Sequence, residues 1–208
     1  AWAFAMAAQS DAELCRALAR AAGWRVGDFH AQDLANTAWA FETLGQSDVK
    51  LFTALSRAAR WCVGDFHAQD LANTGQAFAT LGQSDVKLFA ALGGAATFCV
   101  GDFTVQGLAN TAWAFATVCS SDAQVFAALV RAAELRLSNF SVQALANTAW
   151  AFRTASQQDT QLFAALARAA ELCLSDFSVQ ALTNTAWAFA MAAQSDAELL
   201  RALARAVG

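Results

Sequence analysis

Asn36, Asn73, Asn110, Asn147 and Asn184 recur at a step of 37 residues. Trp39, Trp113, Trp150 and Trp187 follow three residues behind all but one of them, and Gln76 fills the vacant slot. An amide can hydrogen-bond the edge of a nucleobase, and an indole can stack on its face. The same residues could instead tie one repeat to the next, Trp against Ala and Asn across units. A sequence reader varies with the base it reads, whereas these positions scarcely vary, so they are expected to be structural. Positions that change between repeats are better candidates for touching RNA or a protein partner. Glu42 and Arg153 share a position that is alanine in the other copies, and Asp33 and Asp70 match Gly107, Ala144 and Ala181.

Arginine also recurs, at Arg20, Arg57, Arg131, Arg168 and Arg205, with Gly94 breaking the row. One guanidinium per repeat could follow a phosphate backbone. It could equally be a solvated helix end, where the dipole favours cations. Asp28, Asp65, Asp102 and Asp176 recur near the start of another helix, where they would repel phosphates. His30 and His67 are one repeat apart, and helices pack at roughly 10 Å, too far for the two rings to share a metal ion. The five cysteines are an odd set without a Cys-x-x-Cys pair. Cys62, Cys99 and Cys173 share a position with Arg25 and Arg136, which suits small packing residues in a reducing intracellular compartment. No phosphate-binding loop or nucleophile–base set is present. The expectation is a non-catalytic protein without cofactor or metal.

The elements that must position these residues follow from the same step. Asp11, Asp48, Asp85, Asp122, Asp159 and Asp196 keep it without insertion or deletion. Each unit holds two helical patterns. The first begins near Ser141, Ser178, Thr104, His30 or His67 as N-cap, with Phe140 and Leu145 at the spacing of a hydrophobic staple. Gly45 and Gly82 suit its C-terminus. The second opens at Ser-Asp, with Ser10/Glu13 and Ser195/Glu198 at capping-box spacing. Leu162, Leu166 and Ala169 mark its apolar stripe. At about 100° per residue, Leu34, Ala38 and Phe41 share one face of the first helix, and Gln32, Asn36, Trp39 and Thr43 the opposite one. The fold class is all-α, an α-solenoid of about six stacked 37-residue helical hairpins. Its register is 1–37, 38–74, 75–111, 112–148, 149–185 and 186–208, in a single domain over residues 1–208. Gly75-Gln76 and Gly93-Gly94 fall in one unit and predict a local bend or contact site there.

The net charge is −4, without an overall field for attracting phosphates. No apolar run reaches the ~18 residues of a membrane-spanning helix. The chain starts within a first helix and ends after a second, so its ends are expected to stack on further chain, a partner or another copy.

Phe29–Gly45, "FHAQDLANTAWAFETLG", resembles the helix of octotricopeptide repeats and of related heptatricopeptide-type repeats in organellar proteins that carry a RAP domain. The shared elements are Phe-x-x-Gln, Leu-x-Asn, Trp-Ala and a closing Leu-Gly. The resemblance implies a chloroplast or mitochondrial protein that binds single-stranded RNA. A protein-binding scaffold within a larger organellar assembly is the alternative.

Overall fold

A computed structural model describes residues 12–118, 122–136 and 139–155, together with residues 166, 167, 183 and 186. Eight α-helices lie among the described residues: α1 (Ala12–Arg25), α2 (Ala31–Thr43), α3 (Val49–Trp61), α4 (Ala68–Thr80), α5 (Val86–Phe98), α6 (Val105–Thr117), α7 (Ala123–Glu134) and α8 (Val142–Thr154). There is no strand among those residues. Short 3-10 turns at Val26–Asp28, Val63–Asp65 and Val100–Asp102 lead from an odd-numbered helix into the next even-numbered one. The chain forms two compact units, Ala1–Asp102 and Phe103–Gly208.

The helix boundaries have local chemical causes. Thr104 Oγ1 accepts from Gly107 N at 3.0 Å, and Ser141 Oγ from Ala144 N at 3.2 Å. These are the expected N-caps of α6 and α8. Phe66 and Leu71, Phe103 and Leu108, and Phe140 and Leu145 are buried in pairs, as a staple requires. At the other end of α2, Gly45 N donates to Glu42 O and Gln46 N to Phe41 O, both at 2.9 Å. Gly82 and Gln83 repeat the pattern at the end of α4. Gly45 and Gly82 have φ of 63° and 67°, the left-handed conformation that this helix stop needs.

The odd-numbered helices start differently from expectation. Asp48, Asp85 and Asp122 are the N-caps, not the serines before them. A carboxylate accepts N–H bonds more strongly than a hydroxyl and also favours the positive helix end. Asp85 Oδ1 takes two such bonds, from Lys87 N at 2.9 Å and Leu88 N at 3.0 Å. Ser10, Ser195 and Glu198 lie outside the described residues, as does Ser178.

In the first unit, α2 and α4 lie side by side, and each pairs with the odd-numbered helix that follows it. Ala35, Ala38, Ala40, Ala72 and Ala77 are fully buried. Their small side chains allow two backbones to approach closely. In the second unit α6 and α8 pack the same way. Phe52 meets Phe78 edge to face at 4.9 Å, and Phe126 meets Phe152 in the same geometry at 5.1 Å. Each pair fastens an odd-numbered helix to the even-numbered helix of the next repeat. This is helical-repeat packing, in agreement with the expected fold class.

No helix is interrupted at Gly75 or Gly93-Gly94. Both α4 and α5 are unbroken 13-residue helices, the same length as α2 and α3. Glycine in a helix interior costs about 1 kcal/mol, which neighbouring helices can offset through packing. Gly94 is exposed, and a Cβ added there would meet nothing within 4 Å. Gly94→Ala should therefore stabilise the chain by about 0.5–1 kcal/mol, whereas Gly45→Ala, at positive φ, should destabilise it by about 1 kcal/mol. Urea midpoints that move in the same direction for both variants would contradict this account of the two glycines.

Candidate nucleic-acid interface

The solvent-facing side of the even-numbered helices carries the amides and indoles. Leu34, Ala38 and Phe41 are buried, while Gln32, Asn36 and Thr43 are exposed and Trp39 is half-buried. The two faces are those that helical spacing predicts. Asn73 Oδ1 accepts from Gln69 Nε2 at 2.8 Å, and Asn147 Oδ1 from Gln143 Nε2 at 3.3 Å. These amides pair along their own helix, four residues apart. Trp113 and Trp150 sit 6.4 Å apart between ring centroids, tilted by 30°, so one tryptophan leans on the next repeat's. Asn184 and Trp187 lie outside the described residues.

The threonines after Asn73, Asn110 and Asn147 sit in surroundings that the sequence did not reveal. Thr74, Thr111 and Thr148 are buried, and their hydroxyls have no hydrogen-bond partner. A buried unpaired hydroxyl costs about 1–3 kcal/mol. Thr74→Val keeps the shape and removes the penalty, so it should be neutral to stabilising by about 1 kcal/mol. A clear loss of thermal stability would show that the hydroxyl has a partner.

The N-terminal edge of α2 and α4 forms a groove of about 460 Å³ lined by His30, Gln32, Cys62, Asp65, His67, Gln69 and Asp70. Asp33 Oδ2 accepts from His30 N at 3.0 Å, and Asp70 Oδ2 from His67 N at 3.1 Å. Both acids hold the first turn of a helix, and Asp70 is buried. Glu42 is half-buried at the end of α2, where burial pushes its carboxyl up and the Thr80 hydroxyl on α4 partly offsets this. Each of these three acids thus has a hydrogen-bond partner in the chain, although Asp33 itself is exposed. Cys62 Sγ and Cys99 Sγ donate to Ala58 O at 3.4 Å and Ala95 O at 3.3 Å. Burial first, then the Asp65 or Asp102 charge, pushes these thiols up and away from thiolate reactivity. No group of three or more His, Cys, Asp or Glu among the described residues could hold a metal ion.

The odd-numbered helices present a different surface. All seven Lys and Arg of residues 12–102 lie on them: Arg16, Arg20 and Arg25 on α1, Lys50, Arg57 and Arg60 on α3, and Lys87 on α5. Helices α2 and α4 carry Asp33, Glu42 and Asp70 and no cation. Arg20 and Arg57 are exposed, as is Arg131 in the second unit. Arg25 Nε bonds Asp28 Oδ2 at 3.4 Å, with both side chains largely in solvent. The Arg153 side chain, Arg168 and Arg205 lie outside the described residues.

Beside these cations are rings that the sequence reading did not single out. Trp24, Trp61 and Phe98 are 90%, 87% and 96% exposed. They occupy one repeat position, four residues after Arg20, Arg57 and Gly94, hence on the same helix face. Leu135 follows Arg131 in the same way and is also exposed. The signal was present in the 37-residue step. It was obscured because the residue type changes from repeat to repeat.

This surface is tied down by one contact between repeats. Ser56 Oγ on α3 donates to Asp85 Oδ2, the cap of α5, at 2.5 Å. Burial pushes the Asp85 carboxyl up, but the Ser56 hydroxyl, the Leu88 and Lys87 N–H groups and the Arg60 charge outweigh it. The net result is a value below the ordinary 3.8. A depressed carboxylate stabilises the fold above its unfolded pKa, and that contribution disappears as pH falls through the lower folded value. Asp85→Asn should therefore destabilise the chain at neutral pH, and the deficit should shrink as pH drops below about 4. A deficit independent of pH would assign it to packing alone.

A two-helix repeat with side-by-side even-numbered helices and exposed rows at fixed positions defines a helical-repeat protein. Within that class the chain belongs to the family of the RNA-editing substrate-binding complex 6 protein, whose family model matches residues 1–132. No curated protein matches the chain. The match leads to an RNA-editing family rather than to octotricopeptide repeats specifically. No helix among the described residues is long and apolar enough to cross a membrane.

Proposed function

We propose that the chain is a non-catalytic helical-repeat module that binds single-stranded RNA within an organellar RNA-editing assembly. The observation that carries this reading is membership of a family named for an RNA-editing substrate-binding complex. The octotricopeptide likeness of Phe29–Gly45 agrees with it, since both concern proteins that work on RNA, and the likeness adds the organelle. The surface chemistry of the odd-numbered helices agrees too. Exposed arginines and exposed rings recur together, while Asp33 and Asp70 of α2 and α4 are engaged in closing the first turns of their helices. A scaffold that binds protein partners is the second reading. It is favoured by the cation-free outer face of α2 and α4, which a phosphate backbone would avoid.

Binding of the recombinant chain to an unstructured RNA at several salt concentrations tests the proposal. Binding is expected at low salt, with log K falling against log salt by about 0.7 for each phosphate neutralised. Absence of binding at low salt would remove the RNA reading and leave the scaffold.

A further inference from the structure

We propose that single-stranded RNA crosses the outer face of α1, α3 and α5, with one base stacked per repeat on Trp24, Trp61 and Phe98. Its phosphates lie on the side of Arg20 and Arg57. This rests on the RNA-binding reading above and names the surface that performs it.

Exposure is the first argument. Phe52 and Phe89, in the same helices, are buried, whereas Trp24, Trp61 and Phe98 stand almost wholly in solvent. Single exposed apolar residues are ordinary. Three large rings at one repeat position on successive, mutually contacting helices make an ordered row. Charge is the second argument. Every cation of residues 12–102 is on these three helices, and Arg20 and Arg57 form no ion pair among the described residues. A groove of about 220 Å³ between α1 and α3 is lined by Arg20, Trp24, Lys50, the helix-capping Asp48 and apolar neighbours. With a water occupying ~30 Å³, it is large enough for part of a planar base.

The arrangement selects among occupants. A protein-docking patch concentrates apolar groups and excludes charge from its centre, but here Trp24 and Trp61 each have an arginine one turn away, and only Phe98, after Gly94, does not. Rings offer a π-face to any base that is free of a duplex, so the strand must be single. The amides that could read base edges are on the even-numbered helices, so binding on this face should tolerate sequence changes. Asp65 and Asp102 are exposed beyond the ends of α3 and α5. With the negative helix C-termini, they keep phosphates on the arginine side of the rings.

The test is fluorescence anisotropy of labelled oligouridylate with the full chain and four variants, each checked for folding by circular dichroism. Trp24→Ala/Trp61→Ala/Phe98→Ala should weaken binding by about 100-fold or more, as loss of several stacked bases does. Arg57→Gln should lower the salt slope by about 0.7, and Gly94→Arg, which completes the arginine row, should raise it by about 0.7. Asn73→Ala should bind like the wild type. Tight binding by the triple variant, or an unchanged slope for Gly94→Arg, would overturn the track while leaving RNA binding intact. No binding by the folded wild type would overturn both. Self-association in sedimentation that the triple variant abolishes, with RNA affinity unchanged, would make the row a protein contact instead.

Discussion

Everything in this molecule depends on the close lateral packing of even-numbered helices over alanine. Helix α2 lies against α4, and α6 against α8, with Ala35, Ala38, Ala72 and Ala77 or their counterparts Ala109, Ala112, Ala146 and Ala151 buried along the helices. A larger side chain there would force the backbones apart, because close-packed interiors do not absorb extra volume. The unbroken 37-residue step has the same origin. One inserted residue in a helix would rotate everything beyond it by about 100°, turning Leu and Phe out of the seam and the Asn-Trp face into it.

That constraint explains why the surfaces come as rows. A residue placed at one position of the repeat reappears at the same place on the next helix of its layer. On the even-numbered helices the rows are amides that pair with each other, and indoles that lean across repeats. On α1, α3 and α5 they are cations and exposed rings. The chain's net charge of −4 conceals this division. Among residues 12–102 the aspartates cap helices or occupy turns, where they serve the fold, and the cations all lie on α1, α3 and α5. Asp85 shows how closely the two are linked, since it caps α5, bonds Ser56 on α3 and lies beside Arg60.

Much of the architecture was legible from residue types alone. The 37-residue step, the two faces of Gln32–Thr43, the caps at Thr104 and Ser141 and the stops at Gly45 and Gly82 all follow from local chemistry. Three features did not. The serine before each odd-numbered helix loses the cap to the aspartate after it, because two good acceptors stand side by side and the charged one wins. The glycines of α4 and α5 break nothing, because packing from neighbouring helices outweighs a propensity cost. The exposed rings were hidden because identity was the guide to repetition. Trp, Trp, Phe and Leu share a position without sharing a name, and an apolar residue at a helix end looks like core until its exposure is known. The candidate site was therefore half legible: the arginine row could be read, and its aromatic companions could not.

The central claim is a division of labour, in which the even-numbered helices hold the repeats together and the odd-numbered helices meet RNA. Photo-crosslinking with a 4-thiouridine-containing single strand, mapped by mass spectrometry, addresses it most directly. The account predicts adducts at Trp24, Trp61 and Phe98. Adducts confined to Trp39, Asn73 and the other residues on the outer face of α2 and α4 would contradict it.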